Sequence, residues 1–199
     1  MAFFDNILTR YARRVCLATV GSELIPAFVR TRLLNVLGAN LDPSACIWSG
    51  CRLRSSSLVM GKESFINVGF FFDGAARLII GENVRIGQFF SVVTATHQIG
   101  PSKQRCTMEA LLGDVVIEDG CWIGVNVTIL PGVTIRQGCV IGAGTLVSTS
   151  TDPDGLYVGS PARRIRDLPK GKPEHRKGRA AERVPSPFPS IQRAGATTE

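Results

Sequence analysis

Residues 117 to 151 carry the clearest alternation of apolar and polar positions in the chain. Read as IEDGCW, IGVNVT, ILPGVT, IRQGCV, IGAGTL and VSTSTD, they return an aliphatic residue at every sixth position: Ile117, Ile123, Ile129, Ile135, Ile141 and Val147. A period of six fits neither an ordinary helix nor a plain strand. It predicts a solenoid of short strands and tight turns, in which each coil buries its apolar edge only by stacking on its neighbours. Gly120, Gly124, Gly132, Gly138, Gly142 and Gly144 fall where such turns are needed.

Upstream the beat is weaker. It reads Ile47, Leu53, Val59, Phe65 and Phe71, then, past a short insertion at 73–77, Ile80, Ile86 and Val92. It is lost between about 97 and 113, where IGPSKQRCTMEALLGD predicts a loop over about 98–114 that projects from the body. Loops on a rigid scaffold are favoured places for recognition. Residues 1–44 read as a helical cap. Asp5 can cap a first helix with Ile7, Leu8, Tyr11, Val15 and Ala18 on one side, and Ser22 a second with Ile25, Phe28, Val29, Leu33 and Leu37. Gly21 and Gly38 stand where the two helices stop. Arg10, Arg13, Arg14, Arg30 and Arg32 give the pair a basic side, read as a solvated face in preference to an anionic membrane contact. After Val147, TSTDPDG is a turn signal, and LYVGSPARRI packs a last element on the solenoid, which spans 45–168. Residues 169–199 hold five prolines and few apolar residues, and read as a mobile, disordered tail.

Charge and cysteines narrow the function. The net charge of +7 is uneven: residues 163–199 hold ten Lys/Arg against four Asp/Glu (+6), and residues 1–162 hold thirteen against twelve (+1). The body is thus nearly neutral, with no basic stripe of interleaved aromatics along the repeat, which argues against a nucleic-acid partner. Six scattered cysteines and two histidines make no metal-ligand spacing, so no metal is expected. Cys46, Cys121 and Cys139 read as reduced packing residues, which points to the cytoplasm. No apolar run reaches the roughly 20 residues of a membrane span, and charges interrupt the short apolar CLATVG too soon for a signal peptide.

The candidate chemistry rests on His97, in SVVTATHQIG, where the solenoid meets the projecting loop. Imidazoles ordinarily titrate near pH 6.5 and can take and return a proton at neutral pH. The plainer alternative is a hydrogen-bonded turn residue. The other histidine, His175, lies in the tail. No GxSxG elbow, P-loop, dinucleotide fingerprint or HExxH pair is present. One general base alone requires a substrate that arrives already activated.

The repeat, the segment TATH, the loop, and then IEDGCWIGVNVTILPGVTIRQGCVIGAGTLV and GSPAR resemble the left-handed parallel β-helix acyltransferases, nearest the maltose, galactoside, nodulation and polysaccharide O-acetyltransferases. The likeness covers roughly 45–166. It implies an all-β solenoid of left-handed coils, a homotrimer with sites between subunits, acetyl-CoA as co-substrate, and transfer to a hydroxyl of a saccharide or glycosylated metabolite. An N-acyltransferase acting on an amino sugar or antibiotic and a non-catalytic scaffold are the alternatives.

The resemblance also assigns residues. His97 is the general base, and the Val125 N–H is the oxyanion donor across a subunit boundary. Asn67, in FINVG, helps hold the acceptor. Trp122, with Val125, lines the acetyl and pantetheine end of the cleft. Ala143, Gly144, Ser148 and Thr149 lie along the coenzyme arm, and Arg163, with Arg164 in support, stands near its phosphates. Where the family has a phosphate-side lysine this chain has Ser148–Thr149, and its FFFDGAAR departs from the family's acceptor-binding stretch. Phe70 or Phe72, Asp73 and Glu109 are the further acceptor candidates.

Overall fold

A computed structural model describes residues 2–171, with side chains from residue 11 onward; the tail expected beyond residue 171 lies outside the described residues. Three parallel sheets of very short strands run along the body. The first holds Asn40–Leu41, Leu58–Met60, Leu78–Ile80, Val115–Ile117 and Thr134–Ile135. The second holds Cys46–Ile47, Phe65–Ile66, Arg85–Ile86, Trp122–Ile123, Val140–Ile141 and Gly155–Val158, to which Arg163–Asp167 adds an antiparallel edge. The third holds Arg52–Leu53, Phe71–Phe72, Ser91–Val92, Thr128–Ile129 and Leu146–Val147. The chain visits the three in turn and climbs one rung per circuit, which makes a β-helix.

Two positions of each six point inward. Val84 and Ile86, Phe90 and Val92, Cys121 and Ile123, Val127 and Ile129, Val133 and Ile135, and Cys139 and Ile141 are buried pairs two residues apart. Strand alternation explains the pairing, since residues i and i+2 share one face. The residue between them faces out. Burial pushes the Cys121 thiol up to about 12, so it stays a protonated packing group. Among the described residues all six cysteines are free thiols.

The upstream register differs from the one read in the sequence. Met60, Ile66 and Phe72 are the inward residues, with Leu58, Ser64 and Phe70 as their partners, whereas Val59, Phe65 and Phe71 are only half-buried. An extra residue in the serine corner between Leu53 and Leu58 moves the next three rungs by one, and the insertion at 73–77 brings the reading back into step at Ile80. A slip of one residue turns each side chain to the opposite face. Phe70 and Phe72 are therefore core residues, each 0 % exposed, and Phe70 stacks on Phe72 and on Phe90 at ring-centroid distances of 6.4 and 5.6 Å. Neither can meet an acceptor.

The helical cap also departs from expectation. Helix α1 spans Ala2–Val20, so it starts before Asp5, and it turns Leu17 and Val20 inward while Tyr11, Val15 and Ala18 are exposed. Helix α2 spans Ala27–Val36 with Pro26 at its N-cap and no side-chain cap; Ser22 Oγ instead accepts from the Leu24 N–H. Its inward residues are Arg30, Thr31 and Leu34, and Phe28 and Leu33 are exposed. Arg30 thus leaves the basic side. Its guanidinium, 1 % exposed, donates to the carbonyls of Val20, Ser22, Ile25 and Ile47 at 2.7–2.8 Å, tying both helices to the first coil. Five donors in a rigid fork suit such a cluster of carbonyls. No helix among the described residues is long and apolar enough to cross a membrane.

Candidate active site

The projecting segment is a two-stranded antiparallel arm, Ala95–Ile99 against Cys106–Leu112. Its base is fastened by Asp73. That carboxylate accepts from the Thr94 N–H at 2.9 Å and from the Thr94 hydroxyl, and the same hydroxyl accepts from the Ala76 N–H at 2.9 Å. Thr94 is completely buried. Asp73, expected as an acceptor contact, is therefore occupied in holding the strand that becomes the arm.

His97 lies on the exposed first strand of the arm, paired in register with Ala110. Its Nδ1 is 3.2 Å from the Glu109 carbonyl oxygen. A carbonyl can only accept, so Nδ1 carries the hydrogen and the neutral ring keeps its lone pair on Nε2. Glu109 contributes its main chain here. The hairpin register sets that partner: antiparallel pairing of His97 with Ala110 brings the neighbouring Glu109 carbonyl against the ring.

A second cluster stands at the corner between the second and third sheets. In successive coils, residues 67–69, 87–89, 124–126 and 142–144 turn this corner. Gly87, Gly124 and Gly142 stack, and a Cβ on Gly124 would lie 2.7 Å from the Ala143 nitrogen. Contact that close leaves no room for a side chain. Above them Gly69, Phe89, Asn126 and Gly144 all have positive φ, from 56° to 79°. The N–H of Val125 and that of Ala143 have no acceptor among the described residues, while the neighbouring Gly124, Asn126 and Gly144 donate to the coils on either side. These two amides thus face out of the corner, one above the other. Asn67 begins the same turn one coil above the start, its carboxamide oxygen accepting from the Val68 N–H at 2.8 Å and its NH₂ left to donate elsewhere.

Trp122, 61 % exposed, stands on the outer face of the second sheet just before this corner, with Val125 exposed beside it. Ser148 and Thr149 are exposed after the last strand of the third sheet. Arg163 begins the second strand of the terminal hairpin, with Nη1 donating to the Ala162 carbonyl at 3.0 Å. Arg164 is committed elsewhere. It donates to Asp167, to the Tyr157 hydroxyl and to the carbonyls of residues 152–154, and it lies 5.7 Å from the Tyr157 ring centroid. The role expected of it near a phosphate is corrected to that of a clasp on the solenoid end. Among the described residues no group of three or more His, Cys, Asp or Glu side chains converges on a metal-sized site.

One imidazole with a free Nε2, open main-chain donors and a flat glycine corner thus stand on a solenoid of six-residue rungs. The comparisons agree with that geometry. Residues 114–149 match the family described as bacterial transferase hexapeptide (six repeats). A maltose O-acetyltransferase structure from Clostridium difficile 630 superposes with a TM-score of 0.73 at 26 % identity, covering 82 % of this chain and 88 % of that one. A hexapeptide-repeat acetyltransferase from Vibrio cholerae O1 biovar eltor, complexed with acetyl coenzyme A, gives a TM-score of 0.65 at 29 % identity, over 80 % of this chain and 89 % of that one. A candidate acetyltransferase of Schizosaccharomyces pombe is 42 % identical over 108 residues, 54 % of this chain and 52 % of that protein. The chain spans about half the length of the curated relatives it matches. Repeat and fold together make the chain similar to hexapeptide-repeat acetyltransferases, a maltose O-acetyltransferase among them.

Proposed function

We propose that this chain is an acetyl-CoA-dependent O-acetyltransferase whose acceptor is a saccharide or glycosylated metabolite. The observation that carries the reading is the hydrogen bond from His97 Nδ1 to the Glu109 carbonyl, because it fixes the tautomer whose Nε2 can accept a proton. In this mechanism Nε2 takes the proton of the acceptor hydroxyl as that oxygen bonds to the thioester carbonyl carbon. The open Val125 N–H is the donor for the oxyanion that develops, a contact worth roughly 3 kcal/mol at the barrier. Collapse breaks the carbon–sulfur bond, and the thiolate leaves with the proton that His97 returns. No acyl-enzyme forms, and no metal takes part.

Asn67, with its free NH₂, would hold the acceptor. Trp122, Ala143, Gly144, Ser148, Thr149 and Arg163 would bind the coenzyme, whose thin arm suits a corner without side chains. His97 and Val125 stand at different corners of one chain, so a complete site calls for two neighbouring subunits. Exposed Ile99, Met108, Leu111, Leu112, Trp122 and Val125 supply apolar surface for that contact. A closed homotrimer follows from this reading, and sedimentation should give three times 21.4 kDa; a fully active monomer would rule it out. A cytoplasmic setting accords with six free thiols.

His97→Asn tests the mechanism. Asparagine can imitate the Nδ1 hydrogen bond but accepts no proton at neutral pH. Steady-state thiol release with a working acceptor should fall by about 10²–10⁴-fold, while coenzyme binding, followed by Trp fluorescence, stays within about twofold of the parent. Near-normal turnover in the variant would make His97 an orienting residue and end the general-base reading.

A further inference from the structure

A groove of about 520 Å³ lies between α1 and the outer face of the third sheet at the first coil, lined by Arg14, Ala18, Cys51, Arg52, Leu53, Arg54 and Phe71. Arg52 and Arg54 flank inward-pointing Leu53, so strand alternation sends both outward on one side. Arg14 reaches the groove from the helix. Most described arginines already have acceptors: Arg13 donates to Leu37 and Ser56, Arg30 to four carbonyls, Arg77 to Asp114, and Arg136 to Glu118. The guanidinium groups of Arg14, Arg32, Arg52, Arg54 and Arg166 have no acceptor among the described residues, and three of these five line this one groove.

Three like charges in one concavity with no acid among its lining repel one another, and low-dielectric walls concentrate their field. A bound anion would relieve that repulsion and accept bidentate hydrogen bonds. The rest of the open lining is different in kind: exposed Ala18 and half-buried Phe71 are apolar. The volume lies within the range of small-molecule sites, and a concave shape suits a discrete ligand better than a flat lipid surface.

Its place in the fold ties it to the acceptor side. Phe71 is two residues before Asp73, whose carboxylate fastens the base of the His97 arm. The coenzyme phosphates of the proposed mode belong at the opposite end, near Arg163. Four rung spacings of about 4.8 Å separate Arg52–Leu53 from Leu146–Val147 along the third sheet, or about 19 Å. One ligand phosphate group cannot serve both ends.

We propose that the Arg14, Arg52 and Arg54 groove binds the anionic end of the acyl acceptor, a phosphate monoester or phosphodiester joined to an apolar or saccharide body. The word acceptor rests on the acyl-transfer reading above; the anion site does not.

Calorimetry on the full chain tests the site first, with octyl phosphate below its micelle concentration, octyl glucoside as the neutral control, and phosphatidylglycerol vesicles. Octyl phosphate should bind, less tightly at high salt, and its dissociation constant should rise at least about tenfold in Arg52→Gln/Arg54→Gln and severalfold in Arg14→Gln. The parent melting temperature should persist, since all three side chains are exposed. Absence of octyl phosphate binding, equal binding in the double variant, or binding to vesicles alone would overturn the proposal. Thiol release then tests the link to acyl transfer. The preference in kcat/KM for glucose 1-phosphate over glucose should drop about tenfold in the double variant. An unchanged preference would remove the groove from the acceptor site. Full turnover by His97→Asn would instead sink the general-base mechanism and leave the calorimetric result standing.

Discussion

The two halves of the solenoid are built from the same three sheets, yet they obey the repeat differently. From Val115 to Val147 every step is six residues, and inward residues of the first sheet recur at Ile117 and Ile135, eighteen apart. Between Leu41 and Ile80 the corresponding steps are nineteen, to Met60, and then twenty, to Ile80. The surplus residues fall in corners, around Ser55–Ser57 and at 73–77, and the largest surplus of all is the arm. The candidate acceptor contacts lie in this irregular half. Asn67 stands between the two corner insertions, the arginine groove adjoins the first, and Asp73, which fastens the arm, opens the second. The proposed coenzyme contacts Ala143, Gly144, Ser148 and Thr149 lie in the regular half. A strict repeat suits a long uniform ligand, and an irregular one suits a particular substrate.

That contrast can be broken at Phe72. It is fully buried in the irregular half, and Phe71 beside it is half-buried on the outer face. Phe72→Ala should cost about 3–5 kcal/mol by opening a cavity in the aromatic stack with Phe70, read as a large fall in denaturant midpoint. Phe71→Ala should cost less than about 1.5 kcal/mol, because its ring keeps contact with solvent. Its main effect should instead be weaker octyl phosphate binding in the groove. A larger loss of stability for Phe71→Ala than for Phe72→Ala would restore the register first read from the sequence, with Phe71 inward.

The same contrast explains how far the sequence could be read. The coil count in the regular half follows directly from Ile117 to Val147, because glycine at the corners and one aliphatic per six leave a single register. In the irregular half Val59, Phe65 and Phe71 keep a perfect period of six and are still the wrong set. Their neighbours Met60, Ile66 and Phe72 are equally apolar, so hydrophobicity alone cannot tell inward from outward where two adjacent positions are both large. The buried i−2 partner settles it, and Ser64, polar but buried, disguises that signal. His97 could be picked out by its chemistry and its place at the break in the pattern. Its Glu109 carbonyl partner could not, since main-chain pairing across the arm depends on a hairpin register that side chains do not specify. Arg30 misled for a related reason: an arginine on an amphipathic helix reads as solvated, and only the folded chain gathers four carbonyls around it.

The smallest expected effect concerns the ion pairs that join coils. Within the regular half, Glu118 accepts from Arg136 at 2.7 Å and from the Gln137 N–H at 2.9 Å, and the Arg136 hydrogen bond holds its carboxyl below the ordinary range despite some burial. Across the arm, Asp114 accepts from the Arg77 side chain at 2.7 and 2.9 Å and from its N–H at 2.9 Å, and that guanidinium likewise lowers its carboxyl. A carboxylate whose folded value is depressed contributes stability that is present above its unfolded value, near pH 4, and is lost as pH falls through the lower folded value. Melting temperature should therefore decline below about pH 4, and Glu118→Gln or Asp114→Asn should each flatten part of that decline. Both pairs are largely open to water, where ion pairs contribute little, so a shift of only a few degrees is expected. The two variants should differ in one respect. Glu118→Gln loosens a regular coil and should leave thiol release unchanged, whereas Asp114→Asn loosens the residue where the arm rejoins the body. It should therefore reduce turnover severalfold at neutral pH while leaving coenzyme binding as it was. Equal and unchanged turnover in both would mean that the arm is held by Asp73 and Thr94 alone, and that the break between the halves needs no second clamp.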